Sequence, residues 1–364
     1  MMNWNAAPAE FQADRVVTEP NTETSASWRR HWAWAKWLLA AALLAFVFWR
    51  HRAGLSQMTQ QSVHWLSLLI AIALCGGAIL LTFLRWFCLV AALRFQFTIR
   101  DAMRLGFIGY LFNFVAPGSV GGDLVKAALL AKEQPDRRAT AVATVLLDRI
   151  LGMLALFMIG AGAAWWQRDA IQPRAELKAI VLLLAVGSVA GLVGLGLMMI
   201  PAVTQTRVWS RLARLPIAGH LIAELVEGVR LYQTQRHVLF VALGISLVGH
   251  IGTISSFYFS AQAISGTKFV PTYAQHLFFI PAAELAGIVP LTPGGVGLLE
   301  EAVDSLYELN GAADGTGFLT VLAYRAVTLV ISLIGVGYYF RSRREIDQAM
   351  HAKSNADSAP ITST

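Results

Sequence analysis

The residues of this chain best suited to chemistry are charged groups set inside long apolar runs. Arg149 and Arg325 each lie well within such a run, Arg149 ten residues from where its run begins at 139. A cation near the middle of a bilayer is costly and is kept for a partner or a ligand. The guanidinium is a planar fork of donors that fits a phosphate or a carboxylate. Two readings follow. Either the arginines coordinate a lipid phosphate, or they form ion pairs, Arg149 with Asp123 or Glu300 and Arg325 with Glu284 or Glu301. Asp148 adjoins Arg149 but projects about 100° away around a helix, which makes it a poorer partner.

Two Pro- and Gly-broken segments stand beside these arginines. One reads Asn113-Phe-Val-Ala-Pro117-Gly-Ser-Val-Gly121-Gly122-Asp123, followed by Lys126. The other reads Val289-Pro-Leu-Thr-Pro293-Gly294-Gly295-Val-Gly297-Leu-Leu-Glu300. Irregular backbone at membrane depth is tolerated only where protein or a water-filled cavity surrounds it, so both turns are expected to face inward. A short helix should start after each, near Gly122 and Leu298. Its free amides and positive dipole end suit an anion such as a lipid phosphate; Asp123 and Glu300 suit helix caps. Asn113 either reads a headgroup or satisfies backbone freed by Pro117. Glu284, inside an apolar stretch, would gate protons if burial raised its pKa, or would form a salt bridge. His250, Thr253, Ser255 and Ser256 give one helix a small polar face that suits interhelical packing.

The elements that must position these groups are membrane helices. The 364 residues are 56% hydrophobic and 14% charged, against about 25% charged in a soluble domain. Six apolar runs, at 34–49, 63–84, 139–165, 179–200, 238–262 and 317–340, approach the ~20 residues needed to cross ~30 Å of hydrocarbon. The broken segments occupy 105–132 and 272–309. Of 29 Lys and Arg, twenty fall in the tails and loops 1–33, 85–138, 201–237 and 341–364, against six in the alternate loops. That bias predicts both termini in the cytoplasm and argues against nucleic acid as the use of the +7 net charge. Residues 1–33 and 341–364 are expected to be polar cytoplasmic tails around a membrane domain at 34–340. Arg29-Arg30 before an apolar run resembles a secretory signal, but without a small-residue cleavage site the run reads as a retained anchor. Segment 207–231 has the basic and apolar mix of an amphipathic surface helix. Cys75 and Cys88 lie thirteen residues, or roughly 20 Å, apart along one helix, too far for a disulfide.

The broken segments also define a repeat. Pro117 and Pro293 are 176 positions apart, and four of five residues in Pro-Gly-x-Val-Gly agree. Thr144-Val-Leu-Leu-Asp-Arg149 falls on Thr320-Val-Leu-Ala-Tyr-Arg325 at the same offset. Each half, about 63–165 and 238–340, then reads span, broken segment, span. Following the chain from a cytoplasmic N-terminus places the halves in opposite orientation. The expected fold is all-α and integral to the membrane: six full spans and two re-entrant helical hairpins in an inverted repeat, a plan that recurs in transporters.

Asn113 to Asp123 with Lys126, the Asp148-Arg149 pair, and Thr292 to Glu300 resemble the lysylphosphatidylglycerol synthase transmembrane region family, also described as a flippase-like domain. The resemblance covers about 35–340. It implies a membrane region that moves phospholipid between leaflets of the bacterial cytoplasmic membrane, with Asn113, Asp123, Asp148, Arg149, Glu300 and Arg325 as its functional positions. Bifunctional members carry a cytoplasmic synthase domain; residues 341–364 are too few for one, so synthesis of a lysyl lipid is not expected and the substrate stays open. No nucleophile elbow, Walker or HExxH pattern occurs, so neither catalysis nor a metal or other cofactor is expected. The partner expected is a membrane lipid. The rival reading is a non-transporting scaffold that docks a separate lipid- or glycan-modifying enzyme through 201–237; an intramembrane enzyme using Glu284 or Asp123 is a third.

Overall fold

A computed structural model describes residues 63–115, 121–134, 137–171, 175–204, 232–264, 269–288 and 297–357, with isolated positions at 211, 213, 219, 230 and 266. Among them there is no strand. The first expected span, 34–49, most of 207–231, and Gly294 and Gly295 lie outside the described residues.

Nine helices carry the architecture of the described residues. They are α1 (Trp65–Ala92), α2 (Ile99–Val115), α3 (Gly121–Glu133), α4 (Arg138–Trp166), α5 (Ala175–Met198), α6 (Arg236–Ile264), α7 (Tyr273–Ile288), α8 (Leu298–Leu309) and α9 (Thr316–Asp357). Short helical turns occupy Arg168–Ile171, Pro201–Thr204 and Gln233–Gln235. Five stretches are long and apolar enough to cross a membrane: Trp65–Ala92, Thr140–Trp166, Leu177–Met198, Gln233–Ile264 and Thr316–Arg341. Their large apolar side chains remain exposed, as at Leu182, Leu183, Val186 and Val189 of α5 and Leu329, Val330 and Leu333 of α9. Apolar faces this extensive are stable against lipid and not against water. Trp65, Trp165 and Trp166, all exposed, mark the ends of α1 and α4, where amphipathic rings favour headgroup level. The chain is a multi-pass membrane protein.

The expected span boundaries shift in the structure. The run expected at 63–84 continues to Ala92 and takes Arg85 inside the helix. Arg85 therefore does not belong with the cytoplasmic loop cations, because its charge is neutralised within the protein and the helix need not end there.

α1 and α6 pack along their length and run antiparallel. The His64 amide donates to the Ala263 carbonyl at 2.9 Å at one end, and the Tyr232 hydroxyl, just before α6, donates to the Leu89 carbonyl at 2.7 Å at the other. Between them the Ser256 hydroxyl donates to the Ala71 carbonyl at 2.8 Å, and Gly252 rests against Ala78. Small residues let the backbones approach, and the serine supplies an interhelical bond.

Each expected hairpin is a pair of short helices, α2 with α3 and α7 with α8. Their beginnings match. The Thr98 amide donates to Asp101 Oδ2 at 2.9 Å and the Asp101 amide to Thr98 Oγ1 at 3.3 Å. At α7 the Thr272 amide donates to Gln275 Oε1 at 2.7 Å and the Gln275 amide to Thr272 Oγ1 at 3.4 Å. Both are reciprocal capping boxes. The open end of the first pair is tied by Arg104 and Glu133 at 2.5 Å. The second is tied by Gln275 to Asn310 at 2.9 Å and by Tyr307 to His276 at 2.5 Å. The first pair also packs closely at its turn: a Cβ on Gly122 would overlap the Gly109 carbonyl oxygen. Pro281 lies inside α7, where its missing amide leaves the Leu277 carbonyl without its usual helical donor.

Candidate functional site

Gly121 and Gly122 open α3, both buried. The Gly122 amide donates to Asn113 Oδ1 at 2.9 Å, so Asn113 satisfies one of the free amides of the helix start. Asp123, in the first turn, meets Lys126 Nζ at 3.1 Å and Arg149 Nε at 2.7 Å. Of the two acids open to Arg149 in the sequence, geometry selects Asp123, because α3 packs directly on α4. Lys126 is buried and its ammonium lies 5.5 Å from the centre of the Trp86 ring.

Asp148 turns away from Arg149 and binds Arg85. The guanidinium grips it with both arms, Nε to Oδ1 at 2.6 Å and Nη2 to Oδ2 at 2.9 Å, and the remaining Nη1 donates to Ser246 Oγ at 2.6 Å. Three helices, α1, α4 and α6, meet at this buried triad. Sequence reasoning missed Arg85. The signal is a lone arginine abutting the apolar run 63–84, a position that the local pattern groups with the loop cations.

Ile79, Thr82, Phe83, Arg85, Gly106, Tyr110, Asn113, Asp123, Lys126, Asp148 and Arg149 line a cavity of ≈ 170 Å³. Six of the sequence candidates therefore come together: Asn113, Gly122, Asp123, Lys126, Asp148 and Arg149, with Gly122 behind the wall. Three cations face two carboxylates, a surplus of one positive charge, and α3 begins here with the positive end of its dipole toward the cavity. Arg149 keeps about a third of its side chain exposed (35%), whereas Arg85 keeps 7%. Arg149 is the cation able to reach an incoming group; Arg85 is locked in structure.

The second half repeats part of this arrangement. Glu300, fully buried in the first turn of α8, forms an ion pair with Arg325 of α9. Its Oε2 also accepts the Gly297 amide at 2.8 Å, and Gly297 has φ of +90°, which a side chain would strain. The capping role foreseen for Glu300 is filled, whereas its ion pair is with Arg325 and not with Arg149, which takes Asp123 instead. Arg325 takes neither of the acids the sequence suggested for it, Glu284 or Glu301, in this bidentate contact, because the helix start places Glu300 across from it. Glu284 has no ion pair or hydrogen bond among the described residues, so the salt bridge expected of it is not formed there.

Asp304, Glu308 and Asp314 bring carboxylate oxygens within 4.8 Å of one another. Asp304 is occupied by the amides of Gly315 at 3.2 Å, Gly317 at 2.8 Å and Phe318 at 3.1 Å, which makes it the cap of α9.

Residues 33–335 match the family described as Lysylphosphatidylglycerol synthase TM region. No curated protein matches the chain. The chain belongs to the lysylphosphatidylglycerol synthase transmembrane region family.

Proposed function

From that membership we propose that this chain is a lipid flippase, which moves an anionic or lipid-phosphate lipid, aminoacylated or glycosylated forms included, between the leaflets of a bacterial cytoplasmic membrane. The observation that carries this reading is the cavity beside α3, where Arg85, Lys126 and Arg149 outnumber Asp123 and Asp148. A phosphate entering there would compete with Asp123 for Arg149, which is the more exposed of the arginines, and would gain charge-assisted hydrogen bonds from its fork. The protein's own residues bind and release; no covalent step is required, and catalysis is not part of the reading.

The two halves support an exchange between sides. α1 and α6 are antiparallel and head the series α1–α4 and α6–α9, each ordered span, two short helices, span. We read this as an inverted repeat whose short pairs enter the membrane from opposite faces, with both termini cytoplasmic. One acid–arginine pair then lies in each half, Asp123 with Arg149 and Glu300 with Arg325. Opening one pair while the other stays closed would expose the headgroup to one side at a time.

The test is reconstitution of the full chain into vesicles with labelled phospholipids and, separately, labelled polyprenyl phosphates. Transfer between leaflets that Arg149→Ala abolishes is expected. No transfer of any of these lipids by folded protein would end the proposal.

A further inference from the structure

Resting on the lipid reading, we infer that Asn113 reads the lipid phosphate with the nitrogen of its amide, while the oxygen of the same amide holds the start of α3.

Asn113 stands near the end of α2, half-buried, and lines the cavity. The Gly122 amide donates to its Oδ1 at 2.9 Å. An N–H can be met only by an acceptor, so this contact settles which way round the side-chain amide sits. The fit is close: a Cβ on Gly122 would come within 2.6 Å of Oδ1, so a side chain there would push the two segments apart. With the oxygen committed, the two N–H bonds of Nδ2 lie on the other arm of a planar group. They meet no acceptor among the described residues.

The other polar groups of the cavity wall are engaged. Arg85 is bound to Asp148 and Ser246, and Lys126 and Arg149 share Asp123. Thr82 donates its hydroxyl to the Ala78 carbonyl of its own helix at 3.1 Å, and Tyr110 is engaged as well. An anion that takes Arg149 must displace Asp123, whereas the Asn113 nitrogen is offered without breaking a contact.

A phosphodiester has several acceptor oxygens and no donor, so one oxygen can accept from Nδ2 while another faces Arg149. Both residues line the same cavity of ≈ 170 Å³, small enough for one phosphate to face the two. Gly122 and Asp123 are consecutive, so the bond that orients Asn113 also holds the turn of α3 whose carboxylate competes for Arg149. A helix cap needs only the oxygen, which aspartate supplies equally well. The amide adds a donor, and that difference separates the two roles.

The test uses the full chain in micelles, with dihexanoylphosphatidylglycerol as the probe and dihexanoylglycerol, which lacks the phosphate, as its control. N113D keeps an oxygen for the Gly122 amide and replaces the donor arm by a second oxygen; N113A removes both. Wild type and N113D are expected to melt at similar temperatures, and N113A lower. The side-chain amide proton resonances that N113D lacks identify Asn113. In wild type they are expected to shift with the phosphate lipid and to stay in place with the control. N113D should bind the phosphate lipid about tenfold more weakly or worse, because an acceptor then faces the anion where a donor stood. A role confined to capping predicts wild-type binding by N113D and no amide shift; either result overturns the inference and leaves the flippase reading standing. Should N113D melt lower, the amide shift in wild type decides alone. An equal shift with inorganic phosphate at the same concentration assigns the donor to free phosphate and overturns its assignment to the lipid. Transfer of NBD-labelled phosphatidylglycerol between vesicle leaflets is read separately. Binding with the amide shift but no transfer sinks the flippase reading and keeps Asn113 as a phosphate donor, and wild type that binds no phosphate lipid sinks both.

Discussion

Replacing Arg85 separates a structural ion pair from a substrate contact. Arg85 and Asp148 are 5% and 4% exposed, and the guanidinium fills three donor positions, two on Asp148 and one on Ser246. In Arg85→Met the carboxylate of Asp148 is left buried with no cation in contact, and the Ser246 hydroxyl loses its partner. Breaking one side of a buried pair typically costs about 3–5 kcal/mol, whereas replacing both sides by apolar residues of similar size is often close to neutral. Arg85→Met and Asp148→Leu should each therefore lose about 3–5 kcal/mol, a large share of a stability of roughly 5–15 kcal/mol. The double variant should recover most of the loss, a coupling of several kcal/mol. Ser246→Ala should cost less, about 1 kcal/mol, in keeping with measured hydrogen bonds between membrane helices. Equilibrium unfolding of the four proteins in mixed micelles, read by tryptophan fluorescence and circular dichroism, gives the cycle directly. Single losses under ~1 kcal/mol that simply add in the double variant would refute the argument, since they would mean that water or lipid headgroups already solvate the pair.

Two further outcomes follow from local geometry. Gly122→Ala places a methyl against the Gly109 carbonyl and Asn113 Oδ1, so α2 and α3 must separate; a loss of about 1–3 kcal/mol is expected, with Gly76→Ala, which meets open space, as the silent control in the same thermal melts. Tyr307→Phe leaves His276 Nε2 without its donor in a fully buried site and should cost about 1–3 kcal/mol, seen as faster amide hydrogen exchange at the junction of α7 and α8 while α1 and α6 stay protected.

The described helices, their order, the two interruptions and the placing of Arg149 and Arg325 within long apolar helices were legible in the chain, because each depends on local properties. Hydropathy over about twenty residues decides whether a segment can cross lipid, and Pro and Gly mark where a helix must break. Asn113, Asp123, Lys126 and Asp148 could be named from the same reading because polar groups among apolar neighbours stand out without any partner being known. Who binds whom was decided only by tertiary structure. Arg85 reaches Asp148 across 63 positions and Ser246 across 161, and nothing in the local pattern of any one helix selects those partners. Arg325 chose Glu300 over Glu284 and Glu301 for a similar reason: the start of α8, set by Gly297 at positive φ, turns one acid toward α9. Glu284 was thereby left alone, a fact invisible in a sequence where acids and arginines seemed free to pair. Local chemistry determines which groups must be buried; only the packing of distant helices determines which charges are neutralised and which remain available to a ligand.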